Sequence, residues 1–409
     1  RHERNEPPLM PQSRRQLSII YVGTLPPHPG GSALSGSQII IGLSKLGHRI
    51  RALAPITADS LGAGDRFAAG CPQIGVTRFL LPFYETSPDV PVPDDYRKQE
   101  NRAIQKRLRS LIADERPDAI LLGRESFVWH VPDIARARSI PCILRTAGSA
   151  TAMGILKRTY PAALARAMLE QFRKVELIVT PADHMAQSLR ELGFHNVRSI
   201  PNAVNTREFY PRSKDPDLLR ELNIREGDVV VAHVSNLKAL KRPLDLVQSA
   251  EKALKQNPKL VYLVVGDGDL RAAVEESCRS RNLIEKFRFA GWVRYERMPD
   301  YFNLADIVVM ASEAEGLARV YLETQACGRL LLASDIPAAR EVITDGATGL
   351  LFRLGDIDDL TAKTLRAAAE PELRAGIGRD ARLQAEPRSL DRVVSEYVAA
   401  CQGVARKNS

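Results

Sequence analysis

No stretch of this sequence comes near the ~18 consecutive apolar residues that a membrane-spanning helix requires. Its apolar runs, such as Val229 to Ala232 and Ile307 to Ala311, are strand-sized. The expectation is a chain that does not cross a membrane. The five cysteines (Cys71, Cys142, Cys278, Cys327, Cys401) form no C-x-x-C pair and have no histidine at metal-ligand spacing. They are scattered and odd in number, and read as reduced, mostly buried thiols; no metal is expected. No apolar segment of signal-peptide type follows the charged, proline-containing N-terminus, so a cytoplasmic location is expected, with peripheral contact at the inner membrane face left open. The chain starts without Met and reads as a fragment or processed form whose residues 1–16 are a disordered tail. No repeat of 20 to 50 residues is evident, which sets solenoids and propellers aside. Neither a P-loop nor a G-x-G-x-x-G fingerprint occurs.

What is present is ordinary for a globular chain: 409 residues, 44% hydrophobic and 26% charged, enough for two or three domains with normal cores. The net charge of +9 is unevenly placed. Residues 1–207 hold 28 Lys and Arg against 18 Asp and Glu, and the remainder 30 against 31. Part of the excess lies on an amphipathic stretch from Tyr96 to Ser110, where Arg97, Lys98, Arg102, Lys106, Arg107 and Arg109 face one acid, Glu100. A solvated helix face, an anionic membrane or lipid-linked acceptor, and nucleic acid all stay open here. Only Tyr96 offers a ring for base stacking, so nucleic acid is not expected as a partner.

Short β-branched runs alternate with helical patterns at Leu17 to Gly23, Arg49 to Ala54, Ala119 to Leu122, Cys142 to Leu144 and Leu177 to Thr180. The rhythm restarts at Asp228 to Val234, Lys259 to Val265, Phe287 to Ala290, Asp306 to Met310 and Leu330 to Ser334. Two doubly wound α/β sheets follow from it. The polar, Pro- and Asn-rich stretch near 205 to 215 reads as the connection between them. The expected division is 17–207, 208–385 and a C-terminal helix in 386–409 that packs back toward the N-terminal domain. Leu390, Val393, Val394, Tyr397 and Cys401, spaced by threes and fours, give that tail an apolar stripe.

Three places carry candidate chemistry. Gly30-Gly31 precedes a helical pattern at Leu34 to Leu46, where backbone amides suit a phosphate or developing anion; a plain flexible loop reads equally well. Gly266-Asp267-Gly268-Asp269 follows an apolar strand, but Arg271 stands where a third glycine would complete the nicotinamide fingerprint. Its two acids read more simply as helix capping than as ligands for a divalent ion. Glu315 and Glu323 are eight residues apart, so if Leu317 begins a helix Glu323 lies within it and Glu315 in the loop before it. The amides of Gly316 to Arg319 then suit a diphosphate, and the carboxylates suit hydroxyl pairs.

The order Ile200-Pro201-Asn202-Ala203-Val204-Asn205 with Phe209 and Pro211, then Leu237 to Lys241, Gly266-Asp267-Gly268, Phe289-Ala290-Gly291, Glu315 to Glu323 and Ala326-Cys327-Gly328 resembles glycosyltransferase family 4. The family implies retaining enzymes of GT-B fold: two Rossmann-like domains facing a cleft, with C-terminal helices. By that resemblance Lys241 and Lys238 hold the diphosphate of a UDP- or GDP-linked sugar. Glu315 meets the sugar hydroxyls, Glu323 the ribose, and the Gly316, Leu317 and Ala318 amides the phosphates. Gly266 lines the donor site, the backbone of Trp292, Val293 and Arg294 meets the base, and Gly30 and Gly31 approach from the other domain. Glu315 and Lys241 are the catalytic candidates, no cofactor beyond the donor is implied, and the acceptor is unassigned. Two departures stand out: Asn236 replaces an arginine common in the family, and Ala147 stands where a donor-contacting histidine is frequent; His28 or His130 could stand in, but both read more simply as ordinary loop or core histidines. A nucleotide-sugar epimerase or phosphorylase of the same fold, and an inactive nucleotide-sugar binder, remain the alternatives.

Overall fold

The computed structural model describes residues 15–28, 30–56, 66–80, 94–146 and 162–407. Its strands are β1 (Ser18–Val22), β2 (Arg49–Ile56), β3 (Gly75–Leu80), β4 (Ala119–Leu122), β5 (Cys142–Arg145), β6 (Leu177–Thr180), β7 (Val197–Ser199), β8 (Val229–Val234), β9 (Leu260–Val265), β10 (Phe287–Gly291), β11 (Ile307–Met310), β12 (Leu330–Ser334) and β13 (Leu350–Phe352). They form one sheet in the order β3-β2-β1-β4-β5-β6-β7 and another in the order β10-β9-β8-β11-β12-β13. Pairing is parallel, as between β1 and its neighbours β2 and β4, and between β8 and its neighbours β9 and β11. Parallel strands need crossovers, and helices supply them: Pro243–Leu254 after β8, Arg271–Ser280 after β9, Arg319–Ala326 after β11.

A parallel sheet covered on both faces needs strands that are apolar throughout, and β9 reads Leu-Val-Tyr-Leu-Val-Val with every residue buried. The two-residue period sorts these side chains. Val230, Ala232, Val261, Leu263, Val308, Leu331 and Ala333 enter one core, with Phe302, Leu322 and Ala326 of the covering helices. Val231, Leu260, Tyr262, Val264, Ile307, Val309, Leu330 and Leu332 enter the other, with Leu246, Val274 and Leu360.

Contacts gather the described residues into two units. One runs to Ile143 and takes in Lys174–Glu176 and the residues from Val398 on; the other takes Leu144–Arg173 and Leu177–Tyr397. The tail forms helices Ile357–Ala369, Pro371–Ala385 and Leu390–Lys407, and of the expected stripe Val393, Val394, Tyr397 and Cys401 are buried and Leu390 is half-buried. All five cysteines are free, four of them buried and Cys71 half-exposed. Residues 1–14 of the expected tail lie outside the described residues, while Arg15 pairs with Asp118 at 2.7 Å and Gln16 donates to Gly47 O at 2.7 Å. No helix among the described residues is long and apolar enough to cross a membrane. On the helix Asp94–Glu115 the basic residues Arg102, Lys106 and Arg109 are exposed.

Strand order positions the site. In the second sheet the chain moves outward from β8 through β9 to β10, then returns to lay β11 on the other side of β8. The crossovers after β8 and β11 thus lead away in opposite directions, and the carboxyl ends of these two strands form a topological switch point, the place where open α/β sheets bind ligands.

Candidate active site

The loop after β8 is fixed from beneath by a buried histidine. His233 Nδ1 lies 3.0 Å from Val309 O, an acceptor only, so Nδ1 carries the proton and Nε2 accepts from Ser235 Oγ at 2.8 Å. Ser235 Oγ in turn accepts from Leu237 N at 3.2 Å. Burial, with Lys241 nearby adding to it, lowers the pKa of His233 to about 4 against the partial opposition of the Val309 bond. The sign of the pH effect follows. An unfolded histidine titrates near 6.5 and takes up a proton that the folded one refuses, so this stability is present above pH 6.5 and is lost as pH falls toward 4. Denaturant titrations at pH 7.5 and pH 5 are expected to differ by about 2 kcal/mol from this residue, and His233→Phe to show a shallower dependence. An unchanged pH slope in the variant would remove His233 as the cause.

The loop after β11 docks on the first: Glu313 N donates to Leu240 O at 2.9 Å, and Lys241 Nζ meets Glu315 Oε1 at 2.5 Å. The side chains of this pair are 18% and 10% exposed, so little water screens it. The loop is also held from the side, because Asn202 Nδ2 donates to Leu317 O at 2.7 Å and Arg145 Nη2 to Asn202 Oδ1 at 3.1 Å. The helix begins at Arg319 rather than Leu317, with Ala318 extended at its cap and no side-chain cap bond. Gly316, Leu317 and Ala318 are buried, and the first-turn amides have no side-chain cap.

Glu323, 4% exposed, lies one turn into that helix. Its Oε1 accepts from Arg319 Nη2 at 3.0 Å and from Tyr295 OH at 3.2 Å, and Arg319 Nη2 also donates to Tyr295 OH at 2.6 Å. Burial pulls the Arg319 guanidinium down, but Tyr295 and Glu323 outweigh it and hold it above the ordinary arginine value.

The remaining candidates scatter around this centre. Lys238 is exposed at the start of the turn Ala239–Lys241, with no ion pair among the described residues. Asn236 is exposed beside it. Gly266 supports the lysine loop: its φ is +117°, and a Cβ there would stand 1.9 Å from Ser235 O. Asp267 and Asp269 are exposed, and Asp267 Oδ1 accepts from Gly268 N at 2.8 Å. Trp292 is 66% exposed, Arg294 is exposed and 3.5 Å from Glu296, and Val293 packs on the core. Gly30 and Gly31 belong to the other unit, where Gly30 caps the helix Gly31–Lys45 at φ +106° with open space around it. His28 is half-exposed and His130 buried, in that same unit; Ala147 lies outside the described residues. The Arg319 side chain, Tyr295, His233 and Asn202 were missed as site builders by sequence reasoning. An i,i+4 charge pair was there to be seen for Arg319, whereas nothing in the spacing marks Tyr295.

Two family models match successive parts of the chain: "Glycosyltransferase Family 4" over residues 29–208 and "Glycosyl transferases group 1" over 214–384. Among curated relatives, the D-inositol 3-phosphate glycosyltransferase of Nocardiopsis dassonvillei is 28% identical over 66% of this chain and 64% of its own length. The N-acetyl-alpha-D-glucosaminyl L-malate synthase of Bacillus anthracis is 26% identical over 54% of this chain and 58% of its own length. The chain thus spans about three fifths of the length of these relatives. Among solved structures, Anabaena HepE in complex with UDP and glucose superposes with a TM-score of 0.76 at 16% identity, covering 95% of this chain and all of that one. That likeness concerns fold, and the two parallel doubly wound sheets with C-terminal helices are GT-B.

Proposed function

We propose, from the premise that this chain belongs to glycosyltransferase family 4, that it transfers a sugar from a UDP- or GDP-linked donor to an acceptor, with retention of configuration and without a metal ion. The observation that carries the reading is the Lys241–Glu315 pair, whose glutamate lies in the loop that leads into the helix Arg319–Ala326 with its uncapped first-turn amides, at the switch in strand order between β8 and β11. Breaking the bond from the anomeric carbon to the diphosphate moves negative charge onto the leaving oxygen. Lys241, Lys238 and the amides of Gly316 to Arg319 are preorganised to meet that charge, the work a divalent cation does elsewhere. Glu315 holds the ammonium in place and offers its other oxygen to sugar hydroxyls. The acceptor oxygen then forms its bond on the face the diphosphate leaves, and its proton passes to the departing phosphate oxygen. The UDP and glucose held by HepE, and the sugar-transfer names of the curated relatives, support the donor class.

The test is nucleotide binding without metal. UDP or GDP at about 100 times its dissociation constant is expected to stabilise the protein by about 2.7 kcal/mol in EDTA, and Glu323→Ala to lose most of that response. Melting temperatures across UDP, GDP, ADP and dTDP, with and without Mg²⁺, check it. No shift with any of them, or a shift that requires Mg²⁺, would overturn the corresponding part of the proposal.

A further inference from the structure

Helix Asp94–Glu115 carries positive charge that the fold leaves unanswered. Its inner face is apolar, with Ile104 and Leu108 fully buried and Ile112 nearly so. Arg102, Lys106 and Arg109, four and three residues apart, share one exposed side of the helix, and Arg116, also exposed, follows its end. None of these four side chains forms an ion pair or hydrogen bond among the described residues. The nearby acids are turned elsewhere. Between Arg102 and Arg116 the chain has only Asp114 and Glu115. Glu115 is buried and meets Arg51 at 2.6 Å and Arg49 at 3.3 Å, while Asp114 accepts from Ser110 Oγ at 3.5 Å. Arg107 stands apart from the row: it is half-buried, donates to Ala103 O at 3.2 Å and lies 5.9 Å from the Phe79 ring centre. Arginines exposed on other helices find an acid one turn away, Arg279 meeting Glu275 at 3.3 Å and Arg366 meeting Glu370 at 3.3 Å. Like charges at these spacings destabilise a helix, a cost that an anionic partner would offset.

We propose that this row is a docking face for an anionic lipid bilayer. From Arg102 to Arg116 it spans roughly 20 Å at about 1.5 Å per residue, more than one small anion can bridge. A plane of phosphate headgroups meets all four cations at once. Residues 102–116 hold no aromatic ring, so nothing there stacks a nucleic-acid base. Where the spacing continues on the exposed side the residue is Ala113, too small to insert among acyl chains, so the contact is Coulombic and reversible. All four cations belong to the first unit and none takes part in the donor chemistry, so the inference stands independently of the donor reading.

The test is co-sedimentation of the full chain with vesicles of phosphatidylcholine alone and of phosphatidylcholine with phosphatidylglycerol. Each Lys or Arg brought to an anionic surface strengthens binding about fivefold, so Arg102→Gln, Lys106→Gln and Arg109→Gln together are expected to weaken partition into the anionic vesicles about a hundredfold. Arg225→Gln, Lys255→Gln and Lys259→Gln remove the same charge from exposed positions of the second unit and are expected to leave it within about twofold. Salt near about 1 M, where screening acts within about 3 Å, should release the wild-type protein. Both triple variants alter exposed side chains alone, and unchanged melting temperatures check that they fold. Equal binding to neutral vesicles, equal loss in the two triple variants, or no binding to anionic vesicles would overturn the proposal. So would capture of a single-stranded oligonucleotide by the wild type in preference to the vesicles, which gives the row to nucleic acid.

Discussion

Lys241→Ala is expected to lower the rate of nucleoside diphosphate release from the sugar nucleotide at least tenfold, and up to about a thousandfold, with the loss in kcat rather than KM alone. The reason is the half-buried pair with Glu315, 2.5 Å apart. On the proposed mechanism, alanine removes the charge that meets the leaving diphosphate and in the same stroke exposes a carboxylate that repels it. The two effects separate in a cycle. Glu315→Gln alone frees the ammonium but sacrifices its alignment, while Lys241→Ala with Glu315→Gln removes both charges. The double variant is therefore expected to be more active than the product of the single effects, a coupling on the order of 1 kcal/mol or more. Melting temperatures of the three variants guard against unfolding. Near-normal turnover of Lys241→Ala would take this residue out of the mechanism.

Much of the fold was legible because parallel strands announce themselves as continuous apolar runs. Ala119–Leu122, Leu177–Thr180 and Leu330–Ser334 match their expected limits, and Val229–Val234 and Leu260–Val265 begin one residue late. Three strands escaped. Gly75–Leu80 sits at a sheet edge, where Thr77 and Arg78 interrupt the apolar pattern and only Phe79 is buried. Val197–Ser199 and Leu350–Phe352 are three residues long, too short to carry a period. They also lie at sheet edges, where apolar burial on both faces is not demanded.

The site was less legible, for a reason of distance along the chain. Lys241 and Glu315 are 74 residues apart and meet only because β8 and β11 are neighbours; no local pattern encodes that, and the family resemblance brought them to notice. The helix start shows the limit of local reading at smaller scale. Leu317 is apolar and suited to a first turn, yet its carbonyl is taken by Asn202 from outside the helix and regular structure begins two residues later. The sequence offers Arg319 as a backbone amide at a helix start, whereas in the structure its side chain, four residues before Glu323, bonds that carboxylate.

The glycine motif at 266–268 leads to the second large effect, one of stability. Gly266→Ala is expected to destabilise the protein by about 3 kcal/mol or more, and Gly268→Ala by a comparable amount. At Gly266 φ is +117° and a Cβ would stand 1.9 Å from Ser235 O; at Gly268 φ is +154° and the distance to Asn236 O is 2.3 Å. Neither side of the clash can give way. Ser235 N is bonded to Val265 O at 3.0 Å, Gly266 N to Gly291 O at 2.7 Å, and Leu270 N to Leu237 O at 2.9 Å. Gly227→Ala supplies the control, since φ there is +91° with nothing within 4 Å of the added carbon, so it carries the conformational cost without the collision. Urea denaturation of the three variants isolates the collision as the difference, and a Gly266→Ala no less stable than Gly227→Ala would refute it. The folded fraction reports on function as well. The loop pressed against these glycines is the one that presents Lys238 and Lys241, so Gly266→Ala is expected to weaken nucleotide binding in native protein while Gly227→Ala leaves it intact. On that outcome the glycine pair acts by letting two loops close on each other, and its part in nucleotide binding is to support the loop that carries Lys238 and Lys241.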